Sequence, residues 1–272
     1  MPMTGDVPSV AVIQSIRRSI IRMAHYSKAS HVGSSLSTVE ILYTLYFRVM
    51  NVHTGNWHSL DRDRFILSKA HASTALYSTL AERGFFPRSL LDEYYIDGGV
   101  LPGHLDMRAV PGVEFSGGSL GHGLPIGVGM ALASRVARRQ NRIFVLMGDG
   151  ECDEGSVMEA AMLASTQRLD NLVGIVDFNN LQSFGRTNKV IDQSNMASIW
   201  GAMGWEAVEA DGHDVDQLEA ALTAPQHGPR LIIARTIKGK GVSFMEDRLE
   251  WHYKSPDDEQ AERALRELGG RP

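Results

Sequence analysis

Residues 143–155 read IFVLMGDGECDEG and residues 172–180 read LVGIVDFNN, and these two stretches decide the fold. Each opens with an apolar run that is rich in β-branched residues and bounded by glycine or asparagine, which is typical of a buried parallel strand. Residues 158–168 between them favour a crossover helix. Because ligands bind at the carboxyl ends of such strands, Asp149 and Asn179 are expected to lie together at adjacent strand ends.

Asp149 and Asn179 offer oxygens of the kind that hold Mg²⁺, and they leave coordination positions for water and phosphate. Gly150 lets the backbone approach an anion, and the helix beyond it offers free N–H groups to a diphosphate. A lone G-D-G is more often a tight turn, and N-N a loop cap. A turn alone, however, does not require asparagine at the matching point of the next strand. The paired arrangement resembles the metal–diphosphate motif of thiamine diphosphate enzymes.

Length and composition bound the class of protein. The chain has 272 residues, enough for one large α/β core. A formal net charge of −5 does not favour a nucleic-acid partner, and no apolar stretch is as long as a membrane span. Cys152 is the only cysteine, so no internal disulfide is expected and a reducing, cytoplasmic compartment is predicted. Cys152 itself is predicted to be a small buried side chain and not a nucleophile.

Helical and strand patterns alternate along the chain. They predict an α/β fold, a doubly wound, mostly parallel sheet with helices on both faces. Further helices are predicted over residues 10–28, 38–50, 72–83, 127–139, 195–203, 215–222 and 257–268, and further strands over residues 65–67, 205–209 and 230–235. Residues 87–123 are rich in glycine, proline and histidine, which predicts a long, ordered, functional loop. One domain is expected over residues 1–272, with a loose tail at 1–9 and a terminal helix within 256–272.

Four histidines in glycine- or serine-flanked turns form the second signal: His31, His71, His104 and His252. A single turn histidine is more often a surface residue or a partner for the backbone. Four of them near the strand ends of one sheet favour a site, since imidazoles donate to hydroxyls and carbonyls and move protons near neutral pH.

With these residues in place, the chain resembles the N-terminal, diphosphate-binding domain of transketolase from residue 20 to about residue 254. Seven segments carry the resemblance in the family's order: His31-Val32-Gly33, residues 61–68, Pro102-Gly103-His104, residues 117–123, residues 148–160, Asp211-Gly212-His213-Asp214 and residues 236–241. The resemblance implies the thiamine diphosphate-binding fold, with thiamine diphosphate and Mg²⁺ as cofactors.

By matching position, the resemblance also assigns roles to individual residues. The implied Mg²⁺ ligands are Asp149, Asn179 and the backbone carbonyl of Leu181. The residues implied along the cofactor are His71 and Gly150 at the diphosphate, Gly118 and Leu120 near the aminopyrimidine, and also Glu154 and Asn179. The residues implied to line the substrate channel and to assist proton transfer are the catalytic His31, His104 and His252, with His71 beside them. Glu154 and Glu159 match positions at the family's dimer contact.

The sequence departs from the family pattern at four points. Val32 stands where proline is common, Ala70 where glycine is common and His122 where glutamine is usual, and residues 183–185 replace a common Asp-Gly. None of these positions is a metal ligand. Cofactor binding is therefore expected to be little affected, and the departures bear mainly on the acceptor sugar.

A transketolase normally continues with a pyrimidine-binding domain and a C-terminal domain, whereas this sequence stops at Pro272. In the family, the glutamate that activates the aminopyrimidine comes from the pyrimidine domain. The resemblance therefore implies the N-terminal subunit of a split transketolase, whose partner carries the other two domains; a truncated remnant is the alternative. Two copies of each polypeptide are expected around a two-fold axis. Val157, Met158 and Met162 are expected to form an apolar surface that the partner covers.

Three functions are compatible with these residues. The first is transfer of a two-carbon ketol unit from a ketose to an aldose, with sugars or sugar phosphates as substrates. The second is the alpha subunit of a 2-oxo-acid dehydrogenase, which the four histidines disfavour because polyhydroxylated substrates need many hydroxyl partners. The third is a non-catalytic assembly subunit, which the intact Asp149 and Asn179 disfavour. Neither nucleic acid nor a membrane is expected as a partner.

Overall fold

A five-stranded parallel sheet is the centre of the computed structural model, which describes residues 9–270. The strands of the chain are β1 Arg64–Leu67, β2 Ile143–Gly148, β3 Leu172–Phe178, β4 Leu181–Gln182, β5 Gly185–Arg186, β6 Glu206–Asp211 and β7 Arg230–Arg235. The sheet has the order β1-β2-β3-β7-β6, and β4 and β5 form a separate antiparallel hairpin. Strands β2 and β3 are neighbours, and Gly148 is paired with Asp177. The polar residues that follow these strands therefore meet at one edge of the sheet, as the sequence predicts.

Ten helices surround the sheet within residues 9–270. They are α1 Ser9–Tyr26, α2 Val32–Leu36, α3 Val39–Thr44, α4 Ser73–Glu82, α5 Gly123–Val136, α6 Gly155–Thr166, α7 Thr187–Val190, α8 Met196–Ala202, α9 Val215–Thr223 and α10 Asp258–Glu267. Helix α3 continues into a π-helical turn at Leu45–Val49. Helix α5 begins at Gly123 and not at residue 127, because Pro125 lies in the first turn, where a missing N–H costs no hydrogen bond.

Two apolar clusters cover the two faces of the sheet, which confirms the doubly wound fold. On one face, Phe65, Phe144 and Ile175 pack with residues of α1, α3, α4, α9 and α10. On the other, Val145 and Val176 pack with residues of α5, α6 and α8. Every residue of β3 is buried, as expected for a strand covered on both faces.

The long segment before α5 is ordered by buried side chains and not by regular structure. It contains a short 3₁₀ helix at Arg88–Glu93 and one isolated bridge between Tyr94 and Leu101. Leu105, Val110 and Val113 are buried and fix its path. The prediction of an ordered loop is confirmed. The predicted loose tail lies outside the described residues, apart from Ser9, which begins α1. None of the described helices has the length and apolar character needed to cross a membrane.

Candidate functional site

A cavity of about 490 Å³ opens at the carboxyl ends of β2 and β3. The structure brings to its walls all of the residues predicted to bind the metal or the cofactor or to line the substrate channel: His31, His71, His104, Gly118, Leu120, Asp149, Gly150, Glu154, Asn179, Leu181 and His252. They come from loops that are distant in sequence but end at the same edge of the sheet. The role assigned to each residue stays a prediction, but their convergence in one cavity is a feature of the structure.

The Asp149 carboxylate is buried and held by hydrogen bonds from the turn and hairpin around it. One oxygen accepts from the Gly150 N–H at 2.8 Å. The other accepts from the Asn180 N–H at 2.7 Å and from the Thr187 hydroxyl at 2.9 Å. Burial raises the pKa of Asp149, and the negative charge of Asp177 raises it further, while these hydrogen bonds oppose the shift. A cation at this carboxylate would therefore be stabilising.

The Asn179 side chain is oriented by Asp177, which lies behind it. The Asn179 amide nitrogen donates to Asp177 Oδ2 at 2.9 Å, which identifies the other amide atom as the oxygen. That oxygen accepts from the Leu181 N–H at 3.1 Å and keeps a second acceptor position. Asp177 is also hydrogen bonded by Ser37 and Lys69. Burial raises the pKa of Asp177, but the charge of Lys69 and the hydrogen bonds from Lys69, Thr236 and Ser37 together hold that pKa below its ordinary value.

Lys238 reaches the site from the loop after β7, and sequence reasoning missed it as an individual residue. Its ammonium donates to the Leu181 carbonyl at 2.9 Å and lies 2.8 Å from His252 Nδ1. The side chain is fully buried, and burial together with the charge of Lys69 lowers the pKa of Lys238 to about 8. The available signal was the run Thr236-Ile237-Lys238-Gly239-Lys240, a lysine beside a glycine just after a strand.

The four histidines form one cluster in the wall of the cavity. The His31 ring centroid lies 5.1 Å from that of His71, 5.1 Å from that of His252 and 6.4 Å from that of His104. Burial, followed by the charge of His104, lowers the pKa of His31 to about 4. Burial and the neighbouring Lys238 lower the pKa of His252 to about 3. The imidazoles of His31 and His252 are therefore neutral near pH 7, each with one donor and one acceptor nitrogen.

Glu151 is a second residue that sequence reasoning missed. It is buried, and its carboxylate accepts from the Gly121 N–H at 2.9 Å, from the Gly148 N–H at 3.1 Å and from the Ser68 hydroxyl. It thereby joins the loop at residues 117–123 to the turn after β2 and to the end of β1. Burial raises the pKa of Glu151 despite these hydrogen bonds. A glutamate inside a G-D-G-E run offers no periodic signal that separates it from the exposed acids nearby.

Cys152 is buried, as the sequence predicts. Its sulfur lies 3.4 Å from the Gly148 carbonyl. Burial raises the pKa of the Cys152 thiol well above its ordinary value, so it is a poor nucleophile.

The oxygens at the floor of the cavity fit a divalent cation of the Mg²⁺ type. One carboxylate, one amide oxygen and one backbone carbonyl are hard ligands, from Asp149, Asn179 and Leu181 respectively. Within residues 9–270, no group of three or more histidine, cysteine, aspartate or glutamate side chains is arranged to hold a metal. A cation here would therefore depend on neutral protein oxygens, and on water and phosphate for its remaining ligands.

One part of the expected apolar surface needs correction. Val157 is fully buried in the cluster beneath α6 and cannot contact a partner. Met162, one turn further along α6, is 53% exposed, and Leu163 beside it is also exposed. The sequence places Val157 on the wrong side because α6 is apolar on most of its surface, so that its periodicity does not define one buried face.

Comparison with known proteins gives the following matches. Residues 9–272 match the family described as "Transketolase, thiamine diphosphate binding domain". The chain is 41% identical over 258 residues to an apulose-4-phosphate transketolase subunit of Phocaeicola vulgatus, with 94% of this chain and 92% of the relative covered. It is 42% identical over 241 residues to a 6-deoxy-6-sulfo-D-fructose transketolase subunit of Clostridium sp. (strain MSTE9), with 88% of each covered.

Among solved structures, a transketolase from Leishmania mexicana superposes with a TM-score of 0.90 at 26% identity, covering 98% of this chain and 42% of that one. The chain thus spans less than half the length of that transketolase, but nearly the whole length of the two relatives that are named as subunits.

Proposed function

The chain belongs to the transketolase family, through its thiamine diphosphate binding domain, and from that premise we propose that it is the N-terminal subunit of a two-subunit transketolase. With a partner it transfers a two-carbon ketol unit from a ketose to an aldose. The observation that carries this proposal is that one cavity is lined both by Asp149, Asn179 and Leu181, which offer hard oxygens, and by the four histidines. A cytoplasmic location accords with the single buried cysteine.

The floor of the cavity is suited to the metal and the diphosphate. Asp149, Asn179 and the Leu181 carbonyl would hold Mg²⁺. His71 and the Gly150 backbone would bind diphosphate oxygens, and the Lys238 ammonium lies within reach of the same place. When bound, thiamine diphosphate supplies the electron sink that carbon–carbon bond cleavage needs. This chain binds and orients that cofactor, whose ring would lie along the loop that contains Gly118 and Leu120.

The mouth of the cavity is suited to a polyhydroxylated substrate. The imidazoles of His31, His104 and His252 offer ring nitrogens that can hydrogen-bond sugar hydroxyls and carbonyls. The same rings can hold or move a proton at a substrate oxygen. The names of the two relatives given above refer to a sugar phosphate and to a sulfonated sugar. The substrate class proposed here is therefore a sugar or sugar phosphate.

The partner supplies the rest of the site. Relatives of almost the same length are named as single subunits of a transketolase, which supports a second polypeptide with the pyrimidine-binding and C-terminal domains. Glu154 and Glu159 are both exposed on the α6 side of the cavity, where the dimer contact is proposed. Two copies of each polypeptide would place each cofactor between a domain of this chain and a domain of the partner. The described residues would act as one domain in that assembly.

The test is kinetic, on the chain reconstituted with its partner. His104→Ala and His252→Ala are each expected to retain cofactor but to lose about ten- to a thousandfold in rate, since each removes a group that contacts reacting oxygens. His71→Ala is expected mainly to raise the cofactor requirement. His58→Ala, at an exposed histidine away from the cavity, is the matched control. Full activity in both the His104 and the His252 variant would refute the sugar-binding role of the cluster.

A further inference from the structure

The Asp211-Gly212-His213-Asp214 segment is a motif that the proposed chemistry does not use. His213 lies in the turn after β6 and does not line the cavity. Its side chain is only 12% exposed, and both ring nitrogens have partners. Nε2 accepts from the Ile237 N–H at 2.8 Å, and Nδ1 lies 3.1 Å from Glu40 Oε2. The ring is therefore the neutral tautomer that donates from Nδ1.

Glu40 links His213 to the other end of the 236–241 loop, which contains Ile237. Its carboxylate accepts from one Arg17 nitrogen at 2.7 and 2.9 Å. Arg17 Nε in turn donates to the Lys240 carbonyl at 3.0 Å. Both charged side chains are buried, so removing either partner would leave an uncompensated charge. The chain of contacts starts at the Ile237 N–H and ends at the Lys240 carbonyl.

Lys238 lies between these two anchored backbone groups. Its own carbonyl accepts from the Asp247 N–H at 2.8 Å, and its ammonium points into the cofactor site. The next residue, Gly239, has a φ of +81°, and a Cβ there would lie 2.2 Å from the Met245 carbonyl oxygen. The loop therefore packs closely against Met245 at Gly239. The His213–Glu40–Arg17 contacts hold its Ile237 N–H and its Lys240 carbonyl.

We propose that His213, supported by Glu40 and Arg17, is a positioning residue that holds the 236–241 loop so that Lys238 reaches the cofactor diphosphate. The inference rests on the proposed function, in which Lys238 lies at that diphosphate. His213 touches neither the cofactor nor the substrate, and it acts only through the backbone that carries Lys238.

The experiment measures the Kd of Mg²⁺–thiamine diphosphate by calorimetry on the chain assembled with its partner. His213→Ala is expected to raise the Kd about tenfold or more, as loss of supporting contacts commonly does. His213→Gln, whose amide oxygen can still accept from the Ile237 N–H, is expected to recover part of the loss. His25→Ala is the matched control, since His25 is likewise hydrogen bonded to the backbone, at the Pro256 carbonyl, but does not line the cavity.

A double-mutant cycle separates positioning from general stability. If His213 acts through Lys238, adding His213→Ala to Lys238→Met is expected to change the Kd little further. A full additional loss in the Lys238→Met background overturns the inference, and so does an unchanged Kd in His213→Ala. Absence of Mg²⁺–thiamine diphosphate binding by the wild-type assembly overturns the proposed function instead.

If His213→Ala does not fold, hydrogen exchange of the Ile237 amide in His213→Leu, which keeps bulk but cannot accept from that amide, decides the question. Faster exchange there than in the wild type, with α1 unaffected, supports the inference. Exchange equal to that of the wild type overturns it.

Discussion

At the scale of single residues, Asp149 and His31 illustrate two ways in which burial changes a side chain. Asp149 is a hydrogen-bonded carboxylate, and burial raises its pKa. A bound cation would stabilise the ionised form of this carboxylate. His31 is held as a neutral imidazole because burial and neighbouring charges disfavour its protonated form. Each side chain therefore has a measurable consequence outside the reaction itself.

Asp149→Ala is expected to abolish Mg²⁺-dependent cofactor binding while the chain remains folded. Its carboxylate is the only charged member of the proposed ligand set, so its loss is expected to cost more than about a hundredfold in affinity, beyond what supporting residues cost. Asp149→Asn keeps the shape of the side chain and tests the charge alone. Asp192→Ala, at an exposed position, is the control. Calorimetry measures cofactor affinity, and circular dichroism measures whether the chain is folded. Unchanged cofactor affinity in Asp149→Ala would contradict the assignment of Asp149 as a metal ligand.

The free energy of unfolding of the cofactor-free chain is expected to decrease as the pH is lowered from about 6.5 to about 4. The pKa of His31 is about 4 in the folded chain against 6.5 for an unperturbed histidine. In that interval the unfolded chain binds a proton at His31 that the folded chain does not, so lowering the pH favours unfolding. The dependence attributable to this residue ends below about pH 4, where both states are protonated.

The measurement is urea denaturation at several pH values, with the wild type compared with His31→Gln. The free energy of unfolding of the variant is expected to depend less steeply on pH over the interval. His58→Gln, at an exposed histidine, is expected to retain the wild-type slope. An equal slope in wild type and His31→Gln would contradict the prediction. Comparing variants also removes the contributions of carboxylates that titrate in the same interval.

At the scale of elements, the sequence predicted the helices and strands that are long enough to show a clear periodicity, and it missed the short ones. The five strands of the sheet and the longer helices were predicted because buried runs and 3.6-residue patterns extend over enough residues to be recognised. Sequence patterns missed four short elements, α2, α7, β4 and β5. They contain too few residues to show a periodicity, and contacts with the surrounding protein stabilise them. Thr187, at the start of α7, illustrates this: its hydroxyl is directed to Asp149.

The candidate site was predicted where a motif or a resemblance named the residue. Lys238, Glu151 and Asp177 were not named, although they orient the predicted residues. Lys238 depends on a loop after β7 that folds back to the end of β3, a contact between residues far apart in sequence. Asp177 lies near the end of a buried strand, where its carboxylate is satisfied by Asn179 and by partners from three other segments, namely Ser37, Lys69 and Thr236. These contacts depend on how distant segments are arranged in the fold, and the local sequence pattern does not specify that arrangement.

At the scale of the whole molecule, the distribution of exposed apolar side chains indicates where a partner would bind. Met162 and Leu163 on α6 are exposed, as are Ile191 and Ile199, while Phe184 near the cavity mouth is 85% exposed. A groove of about 190 Å³ between α6 and the 191–200 segment is lined by Ile191, Ile199 and Met158. Apolar surface of this kind usually marks an interface. It lies on the same side of the molecule as the exposed Glu154.

The chain alone is therefore expected to bind Mg²⁺ and thiamine diphosphate weakly, to associate incompletely and to transfer no ketol group. With its partner, light scattering is expected to show two copies of each polypeptide. Met162→Glu is expected to shift that assembly towards smaller species, because it places a charge in an apolar contact. Val10→Glu, at a position on α1 that is 65% exposed, is expected to leave it intact.

Two results would contradict this account of the assembly. One is an unaltered assembly in Met162→Glu, which would exclude this face of α6 from the interface. The other is robust ketol transfer by the isolated chain, with no second polypeptide detectable by mass spectrometry. Because half of each proposed site comes from the partner, activity and assembly are expected to be lost together in Met162→Glu and retained together in Val10→Glu. Loss of activity with assembly intact would instead place Met162 at the site itself, which its position on α6, outside the cavity lining, argues against.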